Sequence, residues 1–340
     1  MPRKITDLAR TIVLILILGG CQAQAGDIPP LPQKEAGSST ALPTALPGIE
    51  TPAPEPSASI SPIAAPSATP QVNNNTPPQP VPWPYTISDT FSKSRTDELS
   101  GVVFHPGRNS LFAVKDKGEV IEIRIDGTLM QGQSVRNKAD FEGITYNPRT
   151  DLLYVVIEGE EVILTVDPQT LEARQAIPID RMFEGQLLLP PAGDGIEGIT
   201  VVPSLDGLAP DTFYLVNQSE VLTGMDASVV LEVVIDEAAA EPVARIVRYF
   251  SVGVTDLSGI HYTPEGMLLI LSDDNDLLLA VTLSGQVQKI YSLSGGKQEG
   301  LTVDGEGFLY LAYDEKSAPL TKFGAPNNNL NGGQRSKGKK

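Results

Sequence analysis

The feature that most constrains this chain is a short motif that recurs five times between residues 100 and 305. Each copy has a polar residue, a glycine, an apolar run and a closing turn residue. The copies are Ser100–Pro106, Glu142–Pro148, Glu197–Pro203, Ser258–Pro264 and Glu299–Gly305, with spacings of 42, 55, 61 and 41 residues. Self-similarity of this kind is typical of folds in which similar units pack side by side.

Each copy is followed by a turn and a second apolar run. These second runs are Leu111–Val114, Leu153–Val156, Phe213–Val216, Leu268–Leu271 and Leu309–Ala312. Because no long window shows helical periodicity, the units are predicted to be strand hairpins. Two hairpins in roughly 40–60 residues is the length of a four-stranded propeller blade.

The sequence therefore predicts an all-β fold, a β-propeller of four-stranded blades. Five blades are favoured and six are the alternative, whereas a solenoid usually has shorter and more even repeats. The fifth repeat is one strand short, and Tyr85–Phe91 is expected to supply that outer strand and close the ring. Six blades would need an extra hairpin between Glu197 and Ser258. There, Val229–Asp236 and Arg245–Ser251 instead match the outer strands of a single blade.

The N-terminus is predicted to be a lipoprotein signal peptide. A basic start precedes the apolar run Ile12–Leu18, which is too short to span a bilayer. The segment Leu18–Cys21 matches the bacterial lipobox, and Cys21 is the single cysteine of the chain. We therefore expect loss of residues 1–20 and attachment of Cys21 to an envelope membrane through acyl chains such as palmitate. Gln22 favours the outer membrane if the organism has one, and otherwise the outer face of the cell membrane is expected. An ordinary secretory signal with a chance cysteine is the alternative to the lipoprotein signal.

Composition sets the expected domain boundaries. Of the 29 prolines, 16 lie between Pro29 and Pro84, and such a stretch cannot bury enough apolar surface to fold. Residues 21–84 are therefore predicted to be a disordered tether and residues 85–323 the propeller. Residues 324–340 are predicted to be a basic disordered tail.

Charge and residue counts exclude several classes of function. The formal net charge is −17, which argues against a nucleic-acid partner because phosphate contacts need a basic face. One cysteine excludes a disulfide scaffold and a CxxC zinc site, and two histidines exclude a histidine-rich metal site. Those two, His105 and His261, lie near the ends of first strands and are expected to be structural.

Acidic residues recur at two equivalent places in the repeats. The first strand of a blade lines the central channel, and its start lies at the same face as the end of the second strand. The acids at these two places are Glu142, Glu197 and Glu299, and Asp116, Glu158, Asp273 and Asp314. Carboxylates so close together do not all ionise without a cation or a proton. Oxygen ligands favour hard ions, so we expect Ca²⁺ at the channel mouth, with an ion-free polar channel as the alternative.

The repeat motif also carries a resemblance to a known family. The segments Asp140–Tyr146 and Asp256–Ile260, with related segments at Glu98 and Gln298, resemble the bacterial SdiA-regulated β-propeller family over about residues 85–320. They are similar, more loosely, to the esterase-like domain associated with phytases. The resemblance implies a calcium-compatible propeller and assigns no catalytic residue.

The favoured function is a membrane-tethered binding module that holds Ca²⁺ and presents the propeller face to a small-molecule or protein ligand. The alternatives are a metal-dependent hydrolase of esters or phosphoesters, and a structural envelope protein without a ligand. Catalysis is not favoured because no nucleophile or basic substrate-binding cluster accompanies the acids. A phosphate site without Arg or Lys would need metals to bridge it.

Overall fold

The computed structural model describes residues 77–91, 98–191, 195–204, 207, 209–224, 226–315 and 320–324, and in this part of the chain all regular structure is β-strand. Two strands precede the first repeat: β1 (Val81–Pro82) and β2 (Ile87–Phe91). Residues 1–76 and 325–340 hold the predicted signal, Cys21, most of the predicted tether and most of the predicted tail, and they lie outside the described residues. No helix in the described residues is long and apolar enough to cross a membrane.

The remaining strands form five sheets and one short hairpin. Blade 1 contains β3 (Gly101–His105), β4 (Ser110–Lys115), β5 (Glu119–Arg124) and β6 (Leu129–Ser134). Blade 2 contains β7 (Phe141–Asn147), β8 (Leu152–Ile157), β9 (Val162–Val166) and β10 (Ala173–Pro178), and the hairpin β11 (Met182–Phe183) and β12 (Gln186–Leu187) follows it. Blade 3 contains β13 (Ile196–Val202), β14 (Thr212–Asn217), β15 (Val230–Ile235) and β16 (Ala244–Phe250). Blade 4 contains β17 (Leu257–Tyr262), β18 (Met267–Ser272), β19 (Leu277–Thr282) and β20 (Val287–Ser292). Blade 5 contains β21 (Gln298–Val303), β22 (Leu309–Tyr313), β23 (Leu320–Phe323) and β2.

The five sheets form a closed ring around a central axis. Within each blade the strands pair antiparallel in chain order, and β3, β7, β13, β17 and β21 lie innermost and neighbour one another around the ring. The five-bladed β-propeller predicted from the repeats is therefore confirmed. The stretch between Glu197 and Ser258 forms the single blade 3, which excludes the six-blade alternative.

The N-terminal segment closes the ring, as predicted. Strand β2 pairs antiparallel with β23 and completes blade 5, with Phe91 opposite Leu320. The structure adds a second contact: β1 pairs parallel with β20, so that Val81 lies opposite Tyr291. The backbone N–H of Trp83 also donates to a carbonyl of blade 4, at 3.1 Å. The part of the chain that pairs with the propeller therefore begins before Tyr85, the domain boundary expected from composition.

The core is divided into five clusters, one at each interface between neighbouring blades. The largest fully buried side chains are Tyr154, Tyr310, Phe112, Phe141 and Phe213. Alternation along each strand sends successive side chains to opposite faces of the blade, so both faces become apolar. The strands accordingly consist mostly of Val, Ile and Leu, which pack well in sheets covered on both sides.

Five glycines, one from each innermost strand, form the narrowest part of the channel. They are Gly101, Gly143, Gly198, Gly259 and Gly300, and each faces backbone atoms of the next blade. A Cβ at Gly143 would lie 2.7 Å from the amide nitrogen of Ile199, and one at Gly259 would lie 2.6 Å from the carbonyl oxygen of Glu299. Because the obstructing atoms are backbone, the neighbouring strand cannot move aside without loss of its sheet contacts.

We expect Gly143→Ala to destabilise the propeller, because the added methyl group collides with blade 3. Overpacking of this kind costs about 1–3 kcal/mol, and for a domain of this size each kcal/mol lowers Tm by about 2–4 °C. Gly305→Ala is the matched control, since its nearest neighbour would be a ring carbon of Phe104 at 3.8 Å. Equal melting temperatures for the two variants would contradict the steric argument.

Candidate metal centre at the channel mouth

The strand register places the predicted acids at one end of the channel. The second strands end at Lys115, Ile157, Asn217, Ser272 and Tyr313, so each of the residues Asp116, Glu158, Gln218, Asp273 and Asp314 directly follows a second strand. Antiparallel pairing places these positions beside the starts of the first strands. In blade 2, for example, Phe141 at the start of β7 lies opposite Ile157 at the end of β8. We name this end of the channel, with its acidic residues, the acidic mouth.

Three glutamates of the acidic mouth lie nearest the axis. Glu197 and Glu299 line the narrow axial opening, and Glu142 is close enough for its charge to act on Glu197. Glu197 is only 6% exposed, and its side chain makes no hydrogen bond to the other described residues. The centre of the mouth therefore holds carboxylates that the protein itself does not neutralise.

The pKa values of these carboxyls respond to this environment. Burial raises the pKa of Glu142 and of Glu197 well above the usual range, and the neighbouring carboxylates raise both further. Burial, together with Asp273 and Asp314, raises the pKa of Glu299 to about 8. The charged form of each group is disfavoured, so the mouth takes up protons or a cation readily.

Two groups of carboxylates are close enough to share an ion. In the first, one oxygen each from Asp116, Asp140 and Glu142 lies within 4.8 Å of the others. Burial and the Asp116 charge raise the pKa of Asp140. The Asp116 carboxylate accepts one hydrogen bond, from the Ser100 hydroxyl at 2.7 Å. This group joins blades 1 and 2.

The second group belongs to blade 4 and contains Asp256, Asp273 and Asp274, with the same spacing. Two of its carboxylates already accept backbone hydrogen bonds. Asp256 accepts from the N–H of Asp274 at 2.6 Å, and Asp273 accepts from the N–H of Gln298 at 3.0 Å. These bonds shape the loops of the blade, whereas Asp140 in the first group is hydrogen-bonded to the carboxyl groups of Glu142 and Glu158.

Basic side chains at this end pair with acids on the rim. Lys297 donates to Asp314 at 3.0 Å, and the ion pairs Lys117–Glu98 and Arg136–Glu160 measure 3.4 and 2.7 Å. None of the ion pairs among the described residues includes Glu142, Glu197 or Glu299. The positive charge of the rim is therefore held away from the axis.

The structure places the seven predicted residues at different distances from the axis. Glu142, Glu197 and Glu299 come together at the centre, and Asp116 and Glu158 act electrostatically on Glu142. Asp273 is tied into a loop and Asp314 is held by Lys297. Ser100 and Ser258, which replace glutamate in two repeats, bond instead to Asp116 and to the Gln298 carbonyl oxygen.

Three acids of the two carboxylate groups are absent from the predicted set: Asp274, which directly follows Asp273, and two acids that precede first strands. Asp140 and Asp256 each lie two residues before the polar residue of the repeat, and Glu98 occupies the same place in the first repeat. The recurrence of an acid at this position in three repeats is the sequence pattern that could have predicted these two residues. Its meaning depends on how the loop before the first strand bends toward the axis, which the repeat pattern does not reveal.

The two histidines lie at the other end of the first strands. The buried His105 ring stacks on the Tyr146 ring with centroids 3.9 Å apart, and its Nδ1 has no hydrogen-bond partner among the described residues. His261 lines a separate apolar cavity. Neither histidine belongs to the acidic mouth.

This fold and site define a five-bladed β-propeller with an acidic channel mouth. The family model described as SdiA-regulated matches residues 83–315. The chain therefore belongs to the SdiA-regulated family, as the resemblance in its repeats suggested.

Comparison with solved structures gives similarity in fold only. Glutaminyl cyclase of Myxococcus xanthus is 13% identical with a TM-score of 0.51, over 72% of this chain and 98% of that one. The Cps50 (Swd1) β-propeller domain of Myceliophteria thermophila is 11% identical with a TM-score of 0.36, over 68% of this chain and 65% of that one. No curated protein matches the sequence significantly.

The pH dependence of stability tests the buried carboxyls. A carboxyl with a raised pKa in the folded state stabilises the protein most below its unfolded value of 4.5, and that stability is lost as pH rises through about 8 for Glu299. In chelator, we expect Tm to fall between about pH 5 and about pH 8. Glu299→Gln should flatten this slope, because the amide cannot ionise. The exposed Glu306→Gln should leave the slope unchanged, and equal slopes in both variants would contradict the assignment.

Proposed function

We propose that this protein is a binding module of the cell envelope that holds Ca²⁺ at the acidic mouth. In this proposal the loaded mouth presents the metal to a small-molecule or protein ligand. The observation that carries the proposal is the buried Glu197 carboxylate, which lies among further carboxylates and has no ion-pair partner in the described residues. Buried charges in proteins are normally paired or bound to a metal.

The chemistry of the donors favours a hard divalent cation. All candidate ligands are carboxylate oxygens, and Ca²⁺ takes six to eight oxygen ligands in flexible geometry. Oxygens within 4.8 Å of one another, as in Asp116, Asp140 and Glu142, fit around one ion whose bonds are about 2.3–2.6 Å long. We assign these three residues to the first site, with Glu158, Glu197 and Glu299 around it.

The position of the ion supports a role in binding. A cation at an open mouth keeps part of its coordination sphere available for oxygen atoms of a ligand. Without an ion, the uncompensated carboxylates would repel an anionic ligand, so the cation would also invert the local charge. The rim lysines and arginines already pair with acids and are less available for this purpose.

Attachment to the envelope rests on the sequence. The lipobox ending at Cys21 and the proline-rich stretch after it would hold the propeller away from a membrane, as an extended chain of this composition does. Several acyl chains anchor a protein far more firmly than one. The envelope location and the binding role form one proposal, and they are tested separately.

Calcium should stabilise the full chain against heat. A ligand at a hundredfold excess over Kd adds about 2.7 kcal/mol, so we expect millimolar Ca²⁺ to raise Tm by several degrees near neutral pH. The gain should be smaller near pH 5, because protons compete for the same carboxylates. Identical melting curves in Ca²⁺ and in chelator would contradict the proposal.

Charge-neutral variants test the site itself. Glu142→Gln keeps the shape but removes a negative charge, so it should reduce the Ca²⁺-dependent gain in Tm. The same variant should melt at a higher temperature than the wild type in chelator at about pH 8, because repulsion falls. Glu306→Gln serves as the exposed control and should retain the full gain. A Glu142→Gln protein that responds to Ca²⁺ like the wild type would remove this residue from the site.

Lipidation is tested at Cys21. Cys21→Ser removes the thiol that carries the acyl chain, so the protein should accumulate unprocessed or in the soluble fraction. Labelling with a clickable palmitate analogue should mark the wild type and not the variant. Unchanged processing, labelling and membrane fractionation of the variant would together disprove the anchor without affecting the metal proposal.

A further inference from the structure

The far end of the channel opens into a second cavity with a different chemical character. This cavity, which we name the apolar funnel, has a volume of about 320 Å³. Its walls carry the rings of Phe104, Tyr146 and Tyr262 and prolines from four blades. Ligand pockets in proteins are typically concave, mainly apolar and about 300–1,000 Å³ in volume. The funnel meets all of these criteria.

The apolar funnel is separated from the acidic mouth by the narrow part of the channel, which we name the glycine neck and which consists of Gly101, Gly143, Gly198, Gly259 and Gly300. The space between the five glycines is about 10 Å³, which is close to the least that holds one water molecule. A molecule larger than water therefore cannot pass from one end of the channel to the other. The funnel is a blind cavity whose occupant is independent of the proposed metal.

Two polar side chains of the funnel make no hydrogen bond to the described residues. Thr145 is only 5% exposed and lines the cavity, and its hydroxyl makes no hydrogen bond to the described residues. The His261 imidazole likewise makes none in the part of the chain that the structure describes. Both side chains line the cavity, so a ligand in it can reach their polar atoms.

At the same repeat position in two other blades, the polar side chain does form a hydrogen bond. The Thr200 hydroxyl accepts the backbone N–H of Tyr262, and the Thr302 hydroxyl accepts that of Phe104, both at 3.0 Å. These bonds link neighbouring blades. Thr145 and His261 stand at equivalent positions without such a bond, so their polar atoms are available to a ligand.

The funnel is electrically neutral. Its lining contains no Lys, Arg, Asp or Glu among the described residues. Burial lowers the pKa of His261 to about 4, against a smaller opposing effect of Glu265, so the imidazole is uncharged at neutral pH. A charged ligand would lose its hydration without gaining a counter-charge.

We propose that the apolar funnel is a binding site for a small uncharged cyclic molecule. Its ring packs against Phe104, Tyr146 and Tyr262, and its hydroxyl or carbonyl group hydrogen-bonds to Thr145 and His261. The neutral imidazole offers one donor and one acceptor, and the threonine hydroxyl offers both. A hydroxyl-bearing aromatic ring matches this arrangement.

The probe for this site is 2-naphthol, which combines an aromatic ring system with one hydroxyl group. Fluorescence titration of the full chain should show saturable binding to one site. Thr145→Val and His261→Leu should each weaken binding by about 2- to 10-fold, the effect of one neutral hydrogen bond. Thr90→Val, on an exposed strand, is the matched control and should bind like the wild type.

A blocking variant separates specific from non-specific binding. Val303→Phe places a ring in the cavity and should abolish saturable binding, provided that its melting curve shows a folded protein. If that variant does not fold, the two polar variants still decide the question. The absence of saturable binding to the wild type would show a cavity that holds only water and overturn the proposal. Equal affinity of all folded variants would overturn it as well.

Discussion

The structure depends on the close approach of backbones at five glycines around the channel. Each innermost strand presents its glycine to the backbone of the next blade, and the last of them, Gly300, faces Gly101 and so completes the ring. This contact leaves no room for a Cβ, which explains why the repeat keeps a glycine while its other positions vary. The ring then needs only apolar blade faces, which the five clusters supply, and an outer strand to close it.

The glycine neck also divides the channel into two ends of opposite chemical character. Residues just before each glycine face the end where the second strands stop, and there carboxylates gather. Residues after it face the other end, where Thr145 and His261 lie among aromatic rings and prolines. The same innermost strands therefore supply residues to both ends of the channel.

The carboxylates nearest the axis oppose folding unless a proton or a cation compensates them. Glu142, Glu197 and Glu299 are held by strands whose positions are set by sheet pairing, so they cannot move apart. The basic side chains at this end form ion pairs with acids on the rim instead, such as the pair between Lys297 and Asp314. Carboxylates held close together in this way destabilise the folded protein. In proteins, groups that lower stability in this manner commonly belong to a functional site.

The sequence alone determined the number of blades, the closing strand and the end of the channel at which the acids lie. These properties could be predicted because each depends on residues that are close together in the sequence. Strand alternation and the regular repeat then reveal them through the spacing along one hairpin. Tertiary structure decided which acids share an ion, since Asp140 joins Asp116 and Glu142 across two blades. It also decided that β1 pairs with β20, and that Thr145 lacks the bond that satisfies Thr200. These features depend on the rotation of one blade against the next and on loop paths, and neither leaves a periodic signal in the chain.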